Sequence, residues 1–193
     1  MRVLIACEFS GTVRDAFVRE GHEAMSCDLL SSETPGLHYR GDVTDILDMG
    51  WDLMIAHPPC TYLSVSGMHW TTRGLRDPQL TEQSLDFVRL LLDAPIPRIA
   101  IENPVSIISS RIRKPDQIIQ PWWFGEDASK KTCLWLKNLP LLEKTEPLIK
   151  GRYANQTPSG QNNLGPSKDR WKIRSKTYQG IADAMAKQWG KLI

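Results

Sequence analysis

Apolar residues in this chain come in short continuous runs and in runs of helical spacing, and the two kinds alternate. Residues 2–7 form a short apolar run that meets Glu8-Phe9-Ser10-Gly11-Thr12. After it Val13, Ala16, Phe17 and Val18 recur at near-helical spacing until Gly21 stops the pattern. Strand, turn and helix are expected. Residues 22–27 lead to Asp28, and residues 52–56 lead to His57-Pro58-Pro59. Each reads as a buried strand with polar chemistry at its C-terminal end. Between them, Gly41-Asp42-Val43-Thr44-Asp45 predicts a turn that opens a short helix capped by Thr44 or Asp45.

From Thr81, the residues Leu85, Val88, Leu91 and Leu92 share one helical face. Pro95-Ile96-Pro97 breaks that helix, residues 98–102 predict another strand, and Asn103-Pro104 ends it. Residues 117–124 are apolar and aromatic but contain Pro121, which fits an edge strand or a loop. Residues 133–136 predict a strand. Residues 139–176 lack sustained periodicity and are rich in Pro, Gly, Asn, Gln, Lys and Arg, the pattern of an exposed loop region. Residues 180–189 predict a helix within a closing segment 177–193. The alternation of elements predicts one doubly wound, mostly parallel α/β domain over residues 1–193, with no internal repeat.

Composition narrows the class. A chain of 193 residues suits one domain with a full core. Lys plus Arg number 24 against 22 Asp plus Glu, so contact with nucleic acid would need a local basic patch rather than overall charge. No stretch reads as a signal peptide or a membrane span, and a soluble, cytoplasmic protein is expected. The four cysteines, Cys7, Cys27, Cys60 and Cys133, have no paired metal-ligand spacing and are expected to be reduced. Three of them adjoin apolar runs, whereas Cys60 sits among prolines and polar residues. His57 and His69 flank the Cys60 loop without a third ligand, so no metal is assigned.

In open parallel sheets, ligands collect beyond the C-terminal ends of the strands. Phe9-Ser10-Gly11, Asp28, Asp42, Pro58-Pro59-Cys60 and Glu102-Asn103 all fall at or near such ends and are expected to converge. A dinucleotide site would need a Gly-x-Gly-x-x-Gly turn for its pyrophosphate, yet Gly11 is followed by Thr12, Val13 and Arg14. A ligand without phosphate fits better. S-adenosylmethionine is one, with Asp28 placed to accept its ribose hydroxyls.

The set Phe9-Ser10-Gly11, Asp28, Gly41-Asp42-Val43, Pro59-Cys60-Thr61-Tyr62-Leu63-Ser64 and Ile101-Glu102-Asn103-Pro104 resembles, in order, the motifs of DNA cytosine-5 methyltransferases. Phe124-Gly125, Ser129-Lys130-Lys131 and Tyr178-Gln179-Gly180-Ile181-Ala182 extend the resemblance weakly to the end of the chain. It points to a minimal member of that family, of a kind that phages or prophages could encode. The resemblance implies a Rossmann-like methyltransferase fold and a monomer that binds S-adenosylmethionine through Phe9, Ser10, Gly11, Asp28, Leu29, Asp42, Val43 and Pro58. It implies that the Cys60 thiolate adds to carbon 6 of a cytosine in DNA, flipped from a duplex or single-stranded. Glu102 would then be protonated or share a proton with the ring nitrogen N3, Asn103 would lie beside it, and Lys130 or Lys131 would supply charge near the cytosine O2.

Some positions depart from the family pattern. Val13 and Arg14 stand where it has glycines, Thr61 replaces Gln, and lysines replace an arginine pair. Only residues 137–176 are available for target recognition, which implies short or lax sequence specificity. Ser64, Ser66, Arg152, Lys168, Arg170, Lys172 and Arg174, with Tyr153 and Trp171 among them, are the expected contacts to nucleic acid. Two other functions remain open: the same chemistry on a free deoxycytidine nucleotide or RNA, and a catalytically weak methyltransferase-like module that binds DNA.

Overall fold

In the computed structural model, which describes residues 1–192, seven strands form one sheet in the order β3-β2-β1-β4-β5-β7-β6. The central strands are β1 (Arg2–Ala6), β2 (Glu23–Asp28), β3 (His38–Arg40), β4 (Leu53–Ala56) and β5 (Arg98–Pro104), all parallel. β7 (Thr132–Lys137) enters antiparallel between β5 and β6 (Gln117–Ile119). The doubly wound, mostly parallel α/β class expected from the sequence is the class observed.

Both faces of the sheet are covered, which explains why β1 and β4 read as unbroken apolar runs rather than alternating ones. On one face Leu4, Ala6, Met54, Ala56, Ile99 and Ile101 pack with Leu85, Val88 and Leu91 of α3 (Pro78–Leu92). On the other, Val3, Ile5, Leu53, Ile55 and Ala100 pack with Val13, Ala16 and Phe17 of α1 (Thr12–Arg19) and with Ile181, Met185 and Trp189 of α6 (Gln179–Trp189). The α3 helix starts earlier than its apolar stripe suggests. Asp77 caps it by accepting from the Gln79 N–H, and Pro78 occupies the first turn, where no N–H is needed.

Several elements were not legible in the apolar pattern. These are β3, α2 (Val65–Thr72), α4 (Ile108–Arg111) and α5 (Arg170–Ser175). The α5 helix corrects the expectation of unbroken loop through residues 139–176, and within the same stretch Leu142 is buried and the Pro140 carbonyl accepts from the Trp189 indole. The 43–45 turn is helical as expected, but its cap is Asp42. That carboxylate accepts from the Thr44 N–H at 2.9 Å, so neither Thr44 nor Asp45 is the cap. Residues 117–124 resolve into the edge strand β6 followed by a turn of 3₁₀ helix at Pro121–Trp123. No helix among the described residues is long and apolar enough to cross a membrane.

Candidate functional site

Strand register sets the floor of the site. Ala6 pairs with Cys27 on one side and Ala56 on the other, and Ala56 pairs with Ile101. One residue further along these parallel strands lie Asp28, Cys7, His57 and Glu102, a row of chemically active side chains where the apolar core ends. The order of strands reverses between β1 and β4, the switch point at which open α/β sheets leave a crevice.

At the β1 end, Cys7 adopts a left-handed conformation (φ 58°) that turns the chain sharply off the sheet. The next residue, Glu8, is buried. Its Oε1 accepts from the Val13 N–H at 2.7 Å and from the Ser10 hydroxyl, and its Oε2 accepts from the Arg14 N–H at 3.2 Å. A carboxylate therefore already occupies the N-terminus of α1, where a dinucleotide fold would place pyrophosphate. Its negative charge would repel a second anion. Gly11, at φ 77°, is required on two counts: its conformation strains any residue with a Cβ, and a Cβ there would lie 2.1 Å from the Thr34 hydroxyl.

Arg14, one of the departures from the family's glycines, is fully buried. Its guanidinium donates to the hydroxyls of Ser26, Ser32 and Thr34 and to the carbonyls of Thr34 and Pro35, and it pairs with Asp15 at 2.8 Å. The side chain thus replaces glycine's openness with a pin that holds the loop following Asp28. Asp28 itself uses Oδ1 to accept from the Leu30 N–H, and its second oxygen makes no hydrogen bond among the described residues. Leu29 is exposed, whereas Val43 is 4% exposed and packed in the core, so its side chain is not available to a ligand. Hydrogen bonds from Thr44 hold the Asp42 carboxyl below the usual carboxylate range.

The Cys60 loop is tied down from several directions. Buried Pro58 accepts from the Asn103 side chain at 2.8 Å, and the Cys60 carbonyl accepts from the Leu63 and Ser64 N–H groups. Arg76 donates to the Thr61 carbonyl and lies over the Tyr62 ring, and Thr81 donates to the Tyr62 carbonyl. Ser64 caps α2 by accepting from the Gly67 N–H, and that glycine lies so close to the Thr61 carbonyl that a Cβ would come within 2.0 Å of it. Ser66 is exposed beside it, in an open groove of about 630 Å³ that runs along α2 rather than over Cys60.

Burial pushes the Cys60 thiol above its ordinary range and Glu102 adds to this, while Lys130 and Arg174 pull the other way without reversing it. Glu102 behaves oppositely. Burial raises its carboxyl, but a hydrogen bond from His57 and the positive charge of Lys130 outweigh burial and hold it below the usual carboxylate range. That balance favours the ionised carboxylate in the free protein, whereas the protonated or proton-sharing Glu102 expected from the sequence is the one that faces a cytosine ring. His57 Nδ1 lies 2.7 Å from Glu102 Oε2, and the two side chains are only 9% and 7% exposed. The sequence singled out His57 only as a weak metal ligand. Its register beside Glu102 was invisible without the pairing of β4 with β5.

Of the two candidate lysines, Lys130 is the one whose charge reaches both Cys60 and Glu102, and its ammonium donates to the Arg174 carbonyl at 3.1 Å. Lys131 is exposed and has no such contact among the described residues. The Arg174 contact brings in α5. Trp171 of this helix packs on Phe9 with ring centroids 6.0 Å apart, and Lys176 pairs with Glu33, whose N–H donates to the Phe9 carbonyl. Arg170, Lys172 and Arg174 thus lie on a helix seated above the β1 turn, with Lys168 exposed just before it. Arg152 instead lines a separate depression with Asp127, Lys150 and Tyr153. No group of three or more His, Cys, Asp or Glu side chains able to hold a metal occurs among the described residues.

No family model matches the chain, and no curated protein matches it. Among solved structures, the chain is similar to a candidate DNA modification methyltransferase encoded within a prophage (E. coli). The two are 16% identical with a TM-score of 0.45, over 70% of this chain and 46% of that one. This chain therefore spans less than half the length of that structure. At this similarity, function rests on the residues of the site.

Proposed function

We propose that this protein transfers a methyl group from S-adenosylmethionine to carbon 5 of cytosine in DNA, through a covalent adduct between Cys60 and carbon 6. The observation that carries the reading is the meeting of Cys60, Glu102 and Lys130 at the strand ends, where the Lys130 charge bears on both Cys60 and Glu102 and the Glu102 charge bears on Cys60. Such coupling is what acid–base and nucleophilic chemistry requires, and purely structural cysteines such as Cys27 and Cys133 lie buried in the core instead.

The cofactor positions fit a phosphate-free ligand. Glu8 at the head of α1 disfavours phosphate, while Asp28 keeps one carboxylate oxygen without a hydrogen bond for a ribose hydroxyl. Phe9, Ser10 and Gly11 line the adjoining turn, with the peptide groups near Asp42 and Val43 as the adenine side. S-adenosylmethionine, when bound, supplies an electrophilic methyl on sulfonium sulfur. Everything else falls to the chain's own groups. Sγ of Cys60 forms a bond to carbon 6 and loses its proton. The displaced electron pair moves through the ring to N3, which gains a proton, and carbon 5 becomes nucleophilic. Glu102 serves the N3 edge, and Lys130 offsets charge at the ring. Loss of the carbon 5 proton then expels Cys60.

DNA as substrate is supported by α5, which sits over the β1 turn, carries Arg174 in its last turn and holds Lys172 over the half-exposed Trp171 ring. The same basic and aromatic mixture suits phosphate contact and base stacking. Incubation of the purified protein with DNA and methyl-labelled S-adenosylmethionine, followed by digestion and mass spectrometry, tests the reading. 5-Methylcytosine is the expected product. Label on cytosine N4 or adenine N6, or label only on free deoxycytidine nucleotides, overturns it.

A further inference from the structure

His57 and Glu102 form a pair that the reaction above leaves unexplained. They are neighbours because the β4–β5 register places them side by side one residue beyond Ala56 and Ile101. Both are nearly sealed, and Nδ1 meets Oε2 at 2.7 Å. The far nitrogen of His57, Nε2, is enclosed and has no partner. A second N–H there would be a buried cationic donor with nothing to accept it, whereas a bare lone pair costs less. The resting tautomer is therefore Nδ1–H donating to an ionised carboxylate, with the pair holding one proton. Glu102 Oε1 makes no hydrogen bond among the described residues and is not among the sealed, unpartnered atoms, so it is the oxygen open to a ligand.

The charges around the pair come from several elements. Lys130 approaches from the start of β7, and Cys60 from the loop after β4. Cys133 of β7 also feels Glu102, and Arg174 of α5 acts on Cys60.

We propose that His57 is a positioning residue that fixes Glu102 by Oε2 and so holds Oε1 ready to carry the proton exchanged between the Cys60 thiol and N3 of the cytosine. This inference rests on the reaction proposed above. In it the Sγ–H bond breaks as Sγ–C6 forms. The pair passes from one proton to two, the second on Glu102 Oε1 while Nδ1–H stays on the imidazole, and returns to one when N3 is protonated. No outside acid or base is consumed. Without its histidine, the Glu102 carboxyl would have only the Lys130 charge to set against burial, so it would move up and accept the thiol proton less readily.

Two variants separate the donated N–H from the side chain that carries it. His57→Asn keeps an N–H donor near the place of Nδ1, and His57→Leu removes it. The first readout is the titration of the Glu102 carboxyl by carbon-13 NMR in the intact protein, assigned with Glu102→Gln. The wild-type carboxyl is expected to titrate below about 4.3 and the His57→Leu carboxyl above it. His57→Asn should stay near wild type. The second readout is single-turnover methyl transfer against pH. His57→Leu is expected to lose at least about tenfold in rate with DNA affinity unchanged, and to show a pH profile displaced from wild type, whereas His57→Asn should restore most of both. A Glu102 that titrates alike in all three proteins overturns the pair, as does wild-type rate and pH profile in His57→Leu. A wild-type protein that makes no 5-methylcytosine overturns the reaction instead, and the carboxyl titration still decides whether His57 governs Glu102.

Discussion

The Asn103 side chain donates to the Pro58 carbonyl at 2.8 Å, so the strand that carries Glu102 and the loop that carries Cys60 are joined by one buried hydrogen bond. Its own Oδ1 is buried without a partner, which makes Asn103 a net cost to the core unless the bond it donates matters. Asn103→Ala is expected to lower stability by about 1–2 kcal/mol, because the Pro58 carbonyl loses its donor while an unsatisfied oxygen is removed. Methyl transfer should fall by about 100-fold, since a loop displaced by an ångström misplaces the nucleophile. Urea unfolding and single-turnover rates measured on the same variant check both figures. A rate loss no larger than the unfolded fraction explains would confine Asn103 to a structural role.

Arg14 is a buried cation satisfied by the Asp15 carboxylate and by hydroxyls and carbonyls from two segments, Ser26 of β2 and residues 32–35. Arg14→Met leaves those acceptors unpaired and is expected to cost about 2–4 kcal/mol, read as a lower urea midpoint with unchanged slope. Arg14→Lys should recover only a minor part, because one ammonium cannot reach the positions that the planar fork spans. Limited proteolysis of either variant is expected to cut first in the loop after Asp28.

The Cys60 thiol stands above its ordinary value chiefly through burial, so its alkylation has a definite pH signature. Peptide-resolved labelling with iodoacetamide should be slow at pH 7 and still rising beyond about 8.5, where a free thiol is half ionised. Lys130→Met removes a charge that lowers the thiol, so labelling at a given pH should slow several-fold. Glu102→Gln removes a charge that raises it, and labelling should quicken. Equal rates in the two variants would contradict the coupling on which the proposed chemistry depends.

Basic residues on α5 give a prediction for binding. If Lys172 and Arg174 each neutralise a phosphate, the double alanine variant should flatten the slope of log affinity against log salt by about 2 for duplex DNA, and by less for a single strand. Filter binding across a salt series measures this. An unchanged slope would remove α5 from the DNA contact.

Much of the site could be read without coordinates. Each parallel strand is buried on both faces, so its polar chemistry is displaced to the strand ends, where Phe9, Asp28, Cys60 and Glu102 stand out against apolar runs. β3 and α4 escaped because elements of three or four residues are too short to show a period. The α5 helix escaped for another reason. It has no buried residue of its own, so it lacks an apolar stripe and is held by Trp171, Lys130 and Lys176 contacts to distant segments.

The sequence by itself determined the class of fold, the strands that matter and the residues most able to do chemistry. These follow from local periodicity and from the chemical distinctness of Cys60 among prolines. Only the tertiary structure decided how those residues are charged. The pairing of His57 with Glu102 spans 45 positions and exists because β4 and β5 lie in register. The choice of Lys130 over Lys131 depends on which neighbour faces the strand ends, and the ionised state of Glu102 on a balance of burial against the His57 hydrogen bond and the Lys130 charge. Proton affinity is a property of surroundings, and surroundings are assembled from segments far apart in the chain.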